Sequence, residues 1–206
     1  MIESVIDSLD IPWKVILILS WSMIDNNRYI QEELKKFNKK YRDILFIKSY
    51  DKLEWAAKSC LKARNVLNPE EELIITYCDQ IFDYNSNDFL SYSRNEWFDG
   101  VISVYRNNEP KDDFLKYEWN KVLELVPKNV ISDLATTGMY YWRNSEMFLD
   151  GANKMINKNI KFNNEFYIGP VFNENIQDWY NIGYYETGIH QVWNPIDYEK
   201  YLSTLK

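Results

Sequence analysis

Asp79 closes the stretch Leu73-Ile-Ile-Thr-Tyr-Cys-Asp, an apolar run that ends in a carboxylate. Short apolar runs of this kind suit strands buried on both faces of a sheet. In open α/β sheets, ligands gather beyond the carboxyl ends of such strands. A carboxylate placed there can hold Mg²⁺, a hard cation that takes carboxylate and phosphate oxygens. Asp83 offers a second, weaker ligand, and Asp79 can equally serve as the cap of a turn. Lys128 precedes the strand-like segment Ala135-Thr-Thr-Gly-Met-Tyr-Tyr141. A lysine facing a cleft pairs with phosphate as a point charge; a solvated loop lysine is the plain alternative. Gly138 lies inside that strand pattern, where glycine marks close approach of a ligand or another backbone. Thr136 and Thr137 beside it offer hydroxyls. Glu165, next to Phe166 and Tyr167, supplies a carboxylate for sugar hydroxyls, or a surface charge beside two core aromatics.

Other chemistries lack their residues. The single histidine, His190, has no acid–base partner nearby in the chain and reads as structural. Cys60 and Cys78 form no CxxC or His/Cys cluster, which argues against zinc and a disulfide framework. The six glycines all fall at or after Gly100, so the amino-terminal half holds neither a P-loop nor a dinucleotide fingerprint. A net charge of -7 argues against nucleic acid as a partner. The longest apolar run, Val15–Leu19, is too short to cross a bilayer, and no secretory leader is evident. No membrane insertion and a cytoplasmic location are therefore expected. With 46% hydrophobic residues the chain can bury a sizeable core, and one domain over 1–206 is expected.

These residues need elements to position them. Ile2, Val5, Ile6 and Leu9 recur at helical spacing until Pro12. Strands are predicted at Lys14–Leu19, Asp43–Ile47 and Glu72–Tyr77, with helices at Tyr29–Tyr41 and Leu53–Leu67 between them. This alternation implies parallel strands. Later come a strand at Gly100–Arg106, a hairpin over Phe114–Val126 turning at Asn120, and a strand at Ala135–Trp142. A helix at Ser145–Ile156, a strand at Tyr184–Ile189 and a helix at Pro195–Leu205 complete the series.

The order of several segments resembles the sugar-phosphate nucleotidyltransferases of the capsule and lipopolysaccharide type. The segments are Leu73–Gln80, Phe98-Asp-Gly-Val-Ile102, Val122-Leu-Glu-Leu-Val-Pro-Lys128, Ile131–Tyr141, Glu165-Phe-Tyr-Ile-Gly-Pro-Val-Phe-Asn173 and Asn194–Leu202. The resemblance implies a Rossmann-like, glycosyltransferase-A-type fold, with a mixed, mainly parallel sheet flanked by helices. It implies that a sugar phosphate attacks the α-phosphate of a nucleoside triphosphate, catalysed by positioning and charge neutralisation. By position, Asp79 becomes the Mg²⁺ ligand and Lys128 the group that meets the sugar phosphate. Thr137, Gly138 and Glu165 line the sugar pocket, and Trp55 and Ala56 lie at the nucleotide base.

The departures from the family pattern are specific. Met1-Ile-Glu-Ser-Val-Ile6 matches a helix that, in the family, follows a first strand and a Gly-rich loop bearing catalytic cations; neither is in this sequence. Trp55 stands where the family has a glycine against the base, Pro127-Lys128 replaces a Glu-Lys pair, and Gln191 replaces an acidic residue. The expected function is a diverged nucleotidyltransferase-like protein of nucleotide-sugar or surface-polysaccharide metabolism with impaired or altered triphosphate binding. A pseudoenzyme fits that description. The alternatives are an active enzyme completed by an amino-terminal segment outside these residues, and a glycosyltransferase using Asp79 and Asp83 with Mn²⁺ and a nucleotide-sugar. Expected partners are a sugar phosphate or nucleotide-sugar, together with a second copy or partner subunit covering the sheet. Without the family's first strand, Val15–Leu19 is expected either to close directly onto Leu73–Tyr77 or to be covered by self-association.

Overall fold

The computed structural model describes residues 1–20, 24–25, 27–41, 43–50, 56–95 and 97–205. Helix α1 (Ile2–Leu9) leads into strand β1 (Val15–Ser20), helix α2 (Arg28–Lys40) and strand β2 (Ile44–Ser49). Helix α3 (Ala56–Cys60) continues as a 3₁₀ turn at Leu61–Ala63, followed by β3 (Leu73–Thr76), β4 (Gln80–Asp83) and α4 (Ser86–Asn95). Then come β5 (Gly100–Arg106), the hairpin β6 (Asp113–Glu118) and β7 (Lys121–Pro127), and β8 (Leu134–Trp142). Helices α5 (Ser145–Asn157) and α6 (Val171–Gln177), strands β9 (Ile182–Glu186) and β10 (Gly188–Gln191), and helix α7 (Pro195–Thr204) finish the chain.

Asparagine starts four of the helices. The side chains of Asn27, Asn85, Asn144 and Asn194 accept from the amides of Ile30, Asp88, Met147 and Asp197 at 3.2, 3.1, 3.0 and 3.0 Å. Each satisfies a donor that has no partner within its own helix. Pro195 follows Asn194 at the first helical position, where its missing N–H is not needed.

The main sheet has six strands in the order β3-β8-β5-β9-β7-β6. Only β5 and β9 pair in parallel; β3–β8, β5–β8, β6–β7 and β7–β9 are antiparallel. The expectation of a mixed sheet holds, but mainly parallel is corrected: the pairings of this sheet are mainly antiparallel. Two features make it so. The β6–β7 hairpin can only be antiparallel, and β8 inserts between β3 and β5 running against both. The alternation of strand and helix near the amino terminus does yield parallel pairing, but only between β1 and β2, which form their own two-stranded sheet.

The expected last strand divides at Thr187. Residues before it run beside β5, while Gly188–Gln191 leave the main sheet and pair antiparallel with β4. Thr187 holds the junction, with its amide donating to Val104 O at 2.8 Å and its hydroxyl 2.7 Å from that of Ser103.

All nine residues of β8 are buried. On one face Trp142 stacks on Phe172 at 4.4 Å between ring centres, with planes 4° apart, and its indole N–H donates to Asn175. On the other, Tyr141 and Met139 pack with Phe89, Phe98 and Val101. The strands β1 and β3 are different: every residue of each is only partly buried. They do not pair with one another, so the expected closure does not occur. An apolar cavity of about 710 Å³ runs between them, lined also by α1 and by Ala56, Cys60 and Phe148.

Candidate functional site

Strand β3 ends at Thr76, and the chain turns through Tyr77, Cys78 and Asp79 into β4. Asp79 is half-buried, and burial lifts its carboxyl above the ordinary carboxylate range. Its carbonyl accepts from the Val192 amide at 2.9 Å, which ties this turn to the end of β10. Asp83 sits at the far end of β4. Four extended residues separate the two acids by about 13 Å, and Asp83 is exposed and faces Gly188. Asp79 and Asp83 therefore stand apart. No group of three or more His, Cys, Asp or Glu side chains able to hold a metal occurs among the described residues.

Lys128 follows the last residue of β7 in a left-handed conformation, φ 54°. Its amide donates to Asp112 O at 3.1 Å, which closes the base of the hairpin. Its ammonium lies 3.0 Å from Asp113 Oδ1 as an ion pair outside hydrogen-bonding angles. The same ammonium lies 5.3 Å from the centre of the Tyr167 ring. Asp113 is 7% exposed in its side chain, whereas Lys128 keeps 29%. Burial raises the Asp113 carboxyl above its ordinary value, and the Lys128 charge opposes that shift. Asp113 in turn acts through space on Tyr77 and Tyr140, whose hydroxyls are raised chiefly by burial.

Gly138 has φ +83°, and an added Cβ would collide with the Cδ2–Cε2 edge of the Tyr77 ring and lie 2.8 Å from Gln80 Oε1. The glycine thus lets the turn after β3 press against β8. Gln80 Oε1 is buried there without a hydrogen-bond partner among the described residues. Thr137 points inward: its hydroxyl is fully buried and donates to Ser103, with Ser103 O at 3.2 Å and Ser103 Oγ at 2.7 Å. Glu165 is exposed, and its charge acts on Tyr167, the residue whose ring also neighbours Lys128. Ala56 begins α3, and the next amide, of Ala57, donates to Phe166 O at 3.1 Å, so this helix start lies beside Glu165–Tyr167. Trp55 lies outside the described residues. His190 is exposed, and its ring lies 5.1 Å from that of Tyr201.

The structure adds residues that sequence reasoning missed. Asp112 accepts from the Tyr105 hydroxyl at 2.7 Å and from Asn107, and Gln191 Nε2 donates to the Tyr105 hydroxyl at 3.3 Å. Asp112, Asp113, Tyr77 and Tyr167 were legible only as polar or aromatic residues near predicted strand ends. The adjacent acids Asp112-Asp113 at the start of a hairpin were the one available signal.

Around Lys128 the fold brings together Asp113, Tyr167 and Glu165, and through Tyr77 it reaches Gly138, Gln80 and the Asp79 turn. The cluster lies at the carboxyl end of β3. It combines the Lys128 ammonium, the buried Asp113, the half-buried Asp79, the exposed Glu165 and aromatic walls, with Lys58 and Lys161 close by over the Phe166 ring; carboxylates and aromatic rings of this kind suit a hydroxyl-rich ligand.

No protein-family model and no curated protein matches the chain. Solved structures do match its fold. A nucleoside-diphosphate-sugar pyrophosphorylase from Vibrio cholerae superposes with a TM-score of 0.79 at 18% identity, covering 98% of this chain and 86% of that one. A UDP-glucose pyrophosphorylase complexed with UDP-glucose gives 0.66 at 11% identity, over 98% and 85% of the two chains. The inositol-1-phosphate CTP transferase from T. maritima gives 0.66 at 11% identity, over 92% and 74%. The chain is similar across almost its whole length to enzymes of the nucleotidyltransferase fold, and at these identities the likeness is one of fold.

Proposed function

We propose that this protein is a diverged sugar-phosphate nucleotidyltransferase-like domain that binds a sugar phosphate or nucleotide-sugar, with altered triphosphate binding. The observation that carries the reading is the Lys128–Asp113 pair at the carboxyl end of β3. Burial of Asp113 fixes the lysine stem, and the partly exposed ammonium remains able to meet a phosphate. The left-handed turn at Lys128 aims the side chain back across the hairpin base. Glu165 takes sugar hydroxyls, and Tyr167 forms an aromatic wall between it and Lys128. Gly138 acts by admitting Tyr77, and Thr137 acts by fixing β8 to β5.

Mg²⁺ suits the Asp79 position, because this cation is commonly held by one or two carboxylates plus ligand phosphates. Bound there, it would neutralise phosphate charge. Asp79 supplies the one protein carboxylate at this position, and a bound cation would oppose the burial that raises its carboxyl. The separation of Asp79 from Asp83 gives the glycosyltransferase reading no support. The open space beside β3 favours the reading in which the enzyme is completed by further polypeptide. A surface-polysaccharide role belongs to this proposal and rests on the resemblance alone.

Thermal-shift titration tests it. A hexose 1-phosphate should stabilise the chain, and Lys128→Met should remove that stabilisation. Stabilisation by a nucleoside triphosphate with Mg²⁺, lost in Asp79→Ala, would overturn altered triphosphate binding. A response confined to a nucleotide-sugar with Mn²⁺ would point instead to glycosyl transfer.

A further inference from the structure

Eight non-glycine residues among those described have a positive φ. Four are Asn or Asp, the types that tolerate this conformation, and one is Lys128. The other three are Trp97, Trp119 and Trp179, at φ 60°, 56° and 69°. A bulky side chain is disfavoured there, because its Cβ crowds the following carbonyl. Packing does not offset this: the three are the most exposed large apolar residues of those described, at 88%, 87% and 95%. All three border β9. Trp179 lies just before it, Asn181 Nδ2 donates to Trp97 O at 3.3 Å, and the Tyr184 hydroxyl donates to Trp119 O at 3.0 Å. Strain held at an exposed ring points to use of that ring.

Trp97 has polar company. It lines a cavity of about 420 Å³ together with Arg94, Asp99 and Arg143. The segment that carries it is pinned on both sides. Phe98 is buried and meets the Tyr92 ring at 5.4 Å. The Asp99 amide donates to Asn181 O, and the Asn181 amide donates to Asp99 Oδ2, both at 2.8 Å. The Arg143 amide donates to Asp99 O at 2.8 Å. Its guanidinium donates to the carbonyls of Phe98, Ser93 and Arg94 at 2.8, 3.4 and 3.3 Å. Arg143 Nη1 and Asp99 Oδ1 make no hydrogen bond among the described residues. Both are thus held in place with one polar atom to spare, so a ligand can meet them without reorganising the protein.

The charges select the ligand. Arg94 lies 5.9 Å over the Trp13 ring and grips both carboxylate oxygens of Glu72, so its charge is met. Asp99 balances Arg143. Two cations and two carboxylates sum to zero, which favours a neutral ligand over a phosphate or an acidic sugar. An open indole gives an apolar face on which the C–H face of a pyranose packs. At the rim of such a ring, one hydroxyl can donate to a carboxylate and another can accept from a guanidinium.

We propose that Arg94, Trp97, Asp99 and Arg143 form a binding site for a neutral saccharide. A pyranose lies on Trp97, Asp99 Oδ1 accepts from one of its hydroxyls, and Arg143 Nη1 donates to another. Arg143 follows Gly138 by five extended residues, about 16 Å along the β8 direction. The site is therefore separate from the Lys128 cluster and does not depend on the chemistry assigned there.

An array of neutral oligosaccharides, including α- and β-linked glucans, mannans and galactans, tests the site, and calorimetric titration measures whatever is retained. At least one should bind, and Trp97→Gly should weaken it at least ten-fold, while Trp97→Tyr should restore most of the affinity. Trp97→Gly should hold or raise the urea midpoint, because glycine relieves the left-handed backbone. A lowered midpoint would show that the ring serves packing and would refute the platform. Lys128→Met should leave saccharide binding unchanged, and Trp97→Gly should leave the response to a hexose 1-phosphate unchanged, so the two readings fail separately. Retention of no neutral saccharide, or equal affinity in Trp97→Gly, would overturn the proposal. Retention of sulfated or sialylated chains or of nucleosides alone would overturn the ligand class. Binding to phosphatidylcholine vesicles, or self-association in light scattering, that Trp97→Gly abolishes while no saccharide is retained would assign the surface to a membrane or a second copy instead.

Discussion

Strands β8 and β1 differ in a way their sequences do not announce. β1, Val-Ile-Leu-Ile-Leu-Ser, is the more aliphatic, yet each of its residues is only partly buried. β8 carries two threonines, a glycine, two tyrosines and a tryptophan, yet every residue is buried. β8 has β3 and β5 on its two sides and aromatic layers above and below, whereas β1 has, among the described residues, a strand neighbour on one side only. Apolar character makes a strand able to be buried; neighbours on both edges are what bury it.

The contrast can be broken most directly at its extremes. Trp142→Ala removes a fully buried indole, its stack on Phe172 and its bond to Asn175, and should cost about 3–5 kcal/mol in urea unfolding. Leu17→Ala, on the partly buried wall of the slot between β1 and β3, should cost less, about 1–2 kcal/mol, because part of its side chain stays in contact with solvent and the slot already leaves space beside it. Equal losses would end the distinction between the two regions.

Gly138→Ala should come next. The left-handed backbone alone costs roughly 1–2 kcal/mol for a residue with a Cβ, and Tyr77 must also move. Urea unfolding reads the loss, and quenching or exchange at Tyr77 reads the displacement. A neutral substitution would show that β3 is as loosely held on its β8 side as on its open side.

Asp113→Asn sharpens the comparison through pH. The folded carboxyl is raised above its ordinary 3.8, so the native state binds the proton more tightly than the unfolded chain. Stability from this group is therefore present at low pH and falls as pH rises through the raised value. The asparagine variant should lack that fall, so its stability relative to the parent should increase from pH 4 towards neutrality in paired urea titrations. A constant difference across that range would refute the assignment.

The smallest effect is expected at Arg94→Ala. Arg94 holds Glu72 below the ordinary carboxylate range, but the pair is partly exposed and screened, so the loss should be about 1 kcal/mol or less. The loss should vanish as pH falls through the depressed Glu72 value, where protonation removes the pair in the parent too. Exchange in β1 should change more than exchange in β8, since Arg94 is the tie between Trp13 and Glu72.

Much of this was legible in the sequence. The strand at Gly100–Arg106 has the expected bounds, and α1, α2, α5, α7 and the β6–β7 hairpin fall within a few residues of expectation. Periodicity and asparagine caps are local signals, so they survive without tertiary context. The strand Gln80–Asp83 and helices Ser86–Asn95 and Val171–Gln177 were missed. The first is only four residues long and pairs with a segment more than one hundred positions away. Of the site candidates, Lys128 and Glu165 each neighbour Tyr167, while Asp83 lies at the far end of β4 and Thr137 spends its hydroxyl inside the sheet.

By itself the sequence determined most of the longer helical and extended segments, which carboxylates and lysine stand near strand ends, and the absence of a glycine-rich loop before Gly100. Those depend on side-chain periodicity and residue type within a few positions. The tertiary structure alone decided that β8 runs against its neighbours, that Lys128 rests on a buried Asp113, and that β1 and β3 face each other across a slot. Each is a relation between distant segments, and no local pattern encodes which edge remains without a partner.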